Sequence, residues 1–172
     1  MDRDRSAVAR GAVVGAPVIL ARVGPTGGGA ALVESVETVG RAHPMHRHQH
    51  EDEIVYVVAG TLAVVVGGRH RDLRAGEAVV LPRRIDHAVA ARGGPARILT
   101  IYTPAGFERY LAELAAHTGG GEVEHLIAAA ARYGCTITAP AIDPRHPPER
   151  AVDRGDHARS DGRRTPDGPC GV

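Results

Sequence analysis

The chain has 172 residues, 21 Lys+Arg against 20 Asp+Glu, and a formal net charge of +1. That length implies one domain able to bury its own core, and so even a charge balance excludes the basic footprint of a nucleic-acid groove. Every cation among the 21 is arginine, which removes Schiff-base chemistry and a phosphate-loop lysine. The aromatic residues, four Tyr and one Phe, amount to 3% and are too few for a base-stacking platform. Ten histidines are the surplus that calls for a role. Two cysteines, Cys135 and Cys170, cannot build a disulfide framework or a four-thiolate zinc site and fit a reducing cytoplasm. No apolar run approaches the roughly 20 residues that span a bilayer, so neither a membrane nor a nucleic acid is expected as a partner. The apolar stretch 12–21 reads as a first strand and not as a secretion signal, because Asp2, Asp4, Gly15 and Pro17 interrupt the required pattern.

Residues 1–10 are charged and read as a flexible N-terminus. From 11 to 104 the text consists of short β-branched runs separated by Gly and Pro, the signature of an antiparallel sandwich or barrel. Strands are expected near 15–23, 30–38, 43–48, 53–59, 61–67, 69–73, 77–81, 85–91 and 96–103, and most gaps are short enough to be hairpins. Residues 105–139 form a helical extension, with amphipathic helices at 107–117 and 123–134 joined at Gly119–Gly121 and stopped by Gly134. Leu111, Leu114, Leu126 and Ile127 supply their apolar faces, and both helices are expected outside the barrel, clear of the site. The Pro-, Arg- and Asp-rich stretch 140–172 reads as a disordered tail.

The chemistry is concentrated between Gly40 and Gly60. His46 and His48 are two apart, so strand alternation puts them on one face, and Glu53 opens the next strand, where a hairpin can return it beside them. His87, in a later strand, supplies a fourth donor. Three imidazoles and one carboxylate suit one divalent transition metal: Fe, Ni, Mn, Co or Zn. His50 shares the parity of His48 and is a substitute or supporting donor, and Arg83 and Arg84 are either an anion clamp or a solvated pair. Period two from Glu53 and His87 makes Val55, Val57, Ile85 and Val89 the expected pocket wall, apolar and suited to a flat, weakly polar small molecule.

This arrangement resembles the cupin superfamily. The first family motif is Gly, five residues, His-x-His, three or four residues, Glu, six residues, Gly, and Gly40, His46, His48, Glu53 and Gly60 match it. The second motif matches at Gly76, Pro82 and His87, with Arg84 where Gly is usual and Ala91 where Asn is usual. The resemblance implies an all-β cupin barrel, a double-stranded β-helix or jelly roll, over residues 11–104, followed by the two helices and the flexible tail. A closer likeness joins PMHRHQHEDEIVYVVAG, TPAGFERYLAEL and the later ARYG, and looks like the single-domain cupins described as quercetin dioxygenase-like. It implies ring opening of an enolic or phenolic substrate by oxygen, with Glu53 as the catalytic proton acceptor. A redox-neutral isomerase, cyclase or decarboxylase would use the same four ligands, and a non-catalytic small-molecule-binding module is a third reading. The resemblance also implies a homodimer. Strands such as TLAVVV are apolar at both parities, so an outer face needs cover, with the first strand near 12–20 and Ile54, Tyr56 and Val58 as contributors.

Overall fold

A computed structural model describes residues 17–21, 28–116 and 123–145, and the expectations for 1–10 and for 146–172, Cys170 included, lie outside those residues. Among the described residues, ten strands and two helices follow in chain order: β1 (Val18–Ala21), β2 (Ala31–Glu37), β3 (Pro44–His48), β4 (Asp52–Ala59), β5 (Thr61–Val66), β6 (Arg69–Arg74), β7 (Ala78–Leu81), β8 (His87–Ala91), β9 (Ala96–Thr103), α1 (Glu108–Ala116), α2 (Val123–Arg132) and β10 (Cys135–Ala141). They make two antiparallel five-stranded sheets, ordered β1-β2-β9-β4-β7 and β10-β3-β8-β5-β6, the architecture of a cupin β-sandwich.

Strand alternation sets what each sheet buries. Along β4, Glu53, Val55 and Val57 are buried while Tyr56 between them is exposed, as a period of two requires. Buried Val55, Val57, Leu62, Val64, Leu81, Ala91 and Ile98 form a dry core. A second cluster, Val33, Tyr102, Phe107, Ala130 and Cys135, lies where the helices meet the strands. In β5, Leu62 through Val65 are all buried within the single chain. That strand therefore needs no second subunit to cover it, contrary to the expectation from its composition.

Two turns depend on backbone conformation. Gly60, between β4 and β5, has a φ of +84°, and a Cβ there would meet the Pro95 carbonyl oxygen at 2.4 Å; only glycine permits that approach. Arg84, at the position where the motif prefers glycine, takes the left-handed conformation regardless, with a φ of 65°. Its N–H donates to the His48 carbonyl at 2.7 Å, so the turn is kept and the strain is borne by a side-chain-bearing residue.

The C-terminal segment departs from the sequence reading. Gly134, with a φ of 73°, ends α2, but the chain then returns as β10, which pairs with β3 along Cys135↔His48 and Ile137↔His46. The helical extension thus closes with a strand beside the two histidines, and Pro140 and Ala141 belong to that strand and not to a disordered tail. Pro140 argues against a strand in the sequence; β10 tolerates it because β10 is an edge.

Candidate metal centre

β3 presents His46 and His48 on one face, β8 begins at His87 opposite His46, and β4 brings Glu53 alongside. One donor atom from each of the four residues lies within 4.8 Å of all the others. The three imidazole centroids are 4.5 to 5.5 Å apart. His48 Nε2 and His87 Nε2 sit 3.2 and 3.4 Å from the same Glu53 oxygen, Oε2. The sequence-derived set is brought together in full. The His50 ring packs against Gly134. Arg83 forks onto Asp52 through Nε at 3.1 Å and Nη2 at 2.8 Å.

The residues present fit a metal ion. His46 Nδ1 and His87 Nδ1 each donate to a carbonyl two residues earlier, Pro44 and Ile85, at 2.8 Å. That assignment fixes the tautomer and leaves both Nε2 lone pairs for a ligand. Both nitrogens of His48 and the Nε2 of His87 are buried without a hydrogen-bond partner, an arrangement that is costly unless something binds there. Burial, followed by the neighbouring His87, pushes His46 down to about 4, so that it is a neutral donor at physiological pH. Burial raises the Glu53 carboxyl, but His48 and His87 more than offset this and hold it well below the usual carboxylate range.

The cluster opens on a cavity of about 560 Å³. Of the expected wall residues only Val89 lines it. Val55 and Val57 do point inward, but they are consumed by the dry core, and Ile85 is 41% exposed on the turn before His87. The wall comes instead from β2, β9, β10 and the helical segment, with Val33, Ile98, Tyr102, Phe107 and Leu111 among its members. Phe107 meets the His48 ring edge-to-face at 4.2 Å between centroids. The expectation that the helices stay clear of the site is therefore corrected: α1 contributes Tyr110, Leu111 and Leu114 to the cavity. Their apolar face was legible in the sequence, but its destination was not. For Leu126 the side chain lies outside what is described.

Sequence reasoning also missed a polar pair in the same wall. Glu37, 8% exposed, receives a hydrogen bond from Ser35 Oγ at 2.7 Å and lies 3.0 Å from His43 Nε2. Partial burial disfavours the charged form of the half-exposed His43 ring, yet the bond to Glu37 and the charges of Glu37 and Glu53 hold it above its ordinary value. Burial likewise raises Glu37, and its bonds to His43 and Ser35 bring it below. The alternation Val33, Ser35, Glu37 was the available signal.

The protein is thus an antiparallel β-sandwich with a His/His/Glu/His cluster between its two sheets that could hold a metal ion. Residues 33–102 match the family model described as a cupin domain, and that match supports the cupin superfamily for this barrel. Similar solved structures include KdgF from Halomonas sp., 25% identical over 54% of this chain and 81% of that one, with a TM-score of 0.49. An RmlC-like cupin from Shewanella frigidimarina is 22% identical over 54% and 78% of the two chains, with a TM-score of 0.48. The DMSP lyase DddQ from Ruegeria pomeroyi is 25% identical over 44% and 39%, with a TM-score of 0.41. No curated protein matches the sequence.

Proposed function

We propose that the chain is a metal-dependent enzyme acting on an enolic or phenolic small molecule, as a dioxygenase of the quercetin-cleaving kind. One observation carries the reading: four convergent donors, within 4.8 Å of one another, open on a cavity walled mainly by apolar side chains. A divalent transition metal held by His46, His48, Glu53 and His87 would supply Lewis acidity for a substrate oxygen and, if redox-active, electron exchange with O₂. The protein's own groups do the rest. Tyr102 and Phe107, with Val89 and Ile98, form a slot for a flat ring and keep water from it. The Glu53 carboxylate, ionised and at the cavity wall, is placed to accept the substrate hydroxyl proton. Free, buried Cys135 accords with a reducing cytoplasm as the setting.

The experiment is metal analysis of protein purified without a metal-affinity tag, followed by oxygen uptake with quercetin. Stoichiometric, metal-dependent O₂ consumption is expected. Metal-dependent conversion of a substrate under anaerobic conditions would replace this reading with a redox-neutral isomerase, cyclase or decarboxylase. The Glu37–His43 pair in the cavity would serve that second reading as well.

We also propose a homodimer formed through the outer face of the sheet containing β4. Tyr56 is 42% and Val80 55% exposed there, and register sets them beside Ile54, Leu99 and Ile101. Among the described residues no helix is long and apolar enough to cross a membrane. Light scattering at micromolar concentration should give twice the 18.0 kDa chain mass, and a monomer mass overturns the dimer.

A further inference from the structure

The cavity holds two polar centres, and the ligand cluster accounts for only one of them. The other is the Ser35–Glu37–His43 relay. Glu37 Oε1 accepts from Ser35, Glu37 Oε2 faces His43 Nε2, and all three residues line the same cavity as His46 and Glu53. A carboxylate fixed from one side by a hydroxyl holds the imidazole in one orientation, with Nε2–H toward Glu37 and the Nδ1 lone pair left over. Among the described residues His43 Nδ1 has no hydrogen-bond partner.

The sheet anchors the second centre to the strand that carries the first. His43 is tied to β8 by its backbone N–H, which donates to the Val89 carbonyl at 3.1 Å. Val89 lies two residues beyond the ligand His87 on the same strand, a displacement of roughly 7 Å. A molecule with one hydroxyl at the ligand cluster thus has apolar wall beside it and a second hydrogen-bonding group, His43, within the same cavity. The side chain of His43 is 46% exposed, so it can be reached, whereas Glu37 behind it is buried.

We infer that His43 is a second substrate-binding group and proton acceptor, with Glu37 as its positioning residue, and that the cavity selects flat molecules bearing two acidic hydroxyls, one for each centre. The inference rests on the enolic or phenolic reading of the cavity. In the step assigned to it, the distal hydroxyl gives its proton to His43 Nδ1. The resulting imidazolium is stabilised by the Glu37 carboxylate, and the proton returns to the same oxygen, or to water, when the ligand leaves. The other charged or titratable groups lining the cavity are Arg41 and His46 on the segment carrying His43, Glu53 on β4, Tyr102 on β9, Tyr110 on α1 and Cys135 on β10.

The test uses the full chain loaded with Zn(II), which is redox-silent, and two flavonol probes titrated by absorbance, which reports hydroxyl ionisation. Quercetin carries hydroxyls at both ends, whereas 3-hydroxyflavone carries only the one directed at the ligand cluster. H43Q is expected to weaken quercetin roughly tenfold, the worth of a charge-assisted hydrogen bond. It should also suppress ionisation of the distal hydroxyl and leave 3-hydroxyflavone affinity unchanged. E37Q should follow the same pattern more weakly, and it decides the matter if H43Q loses zinc. Equal weakening of both probes assigns the pair a structural role and overturns the inference, as does no weakening of either. Failure of the unmodified protein to bind both flavonols overturns the substrate class proposed above and this inference with it, a result distinct from loss of the difference between probes.

Discussion

The two ends of the sandwich share strands β4, β8 and β9 and behave as different materials. At the end formed by β4, β7, β5 and β8, Val55, Val57, Leu62 and Leu81 are all 0% exposed and the packing is wholly aliphatic. At the other end, bounded by β2, β3, β10 and α1, the sheets enclose Glu37, Glu53, His46, His48 and His87 around an open volume. Apolar burial stabilises the first end. The second contains buried nitrogens with no partner, which subtract from stability until a ligand satisfies them. A single fold thus separates a half that holds it together from a half free to do chemistry.

The largest effect that would break this comparison is loss of metal. The double variant H46A/H48A should retain no bound metal by elemental analysis, yet remain folded by circular dichroism. Collapse of the variant would mean that the polar end is needed for folding. In the dry end, L62A should destabilise the metal-free protein by about 2 to 5 kcal/mol in urea while leaving metal stoichiometry unchanged. Its urea midpoint should fall further than that of H46A/H48A, and the reverse order would erase the distinction between the two ends.

A smaller effect concerns pH. Burial, followed by the charges of Glu53 and Glu51, pushes the Cys135 thiol up to about 12. Above pH 9 the unfolded chain releases this proton while the folded chain keeps it, so the associated stability is complete below about pH 9 and is lost as pH climbs toward 12. C135A should show a shallower fall in stability between pH 8 and 10. The native thiol should not react with a disulfide reagent at pH 8, because the thiolate is the nucleophile; rapid labelling in a C170S background would show that this wall is open.

The smallest effect is at Arg84. R84G relieves a left-handed backbone while adding chain entropy to the unfolded state, so a gain of up to about 1 kcal/mol is expected. The gain should appear in the urea midpoint without any change in metal content, and a loss would mean that the Arg84 side chain holds the turn.

The His46–His48 pair was legible in the sequence through a local rule, and Glu53 and His87 through their places in the two family motifs. Glu53 reaches the histidines from the facing sheet and not through the expected hairpin, while two-residue alternation places His46 with His48. Most strands were readable for the same reason, as were both helices. The role of each inward side chain was not. Val55 and Val89 both face inward, yet one fills the core and the other lines the cavity, because the outcome depends on the facing sheet. The destination of Phe107 on His48 and the return of β10 beside β3 depend on contacts between distant segments. The Glu37–His43 pair joins two residues only six apart, yet its place in the cavity wall is set by β9 and β8. Spacing and parity determine which face a residue takes. Only the tertiary packing decides whether that face is dry, polar or open, because desolvation depends on everything brought against it.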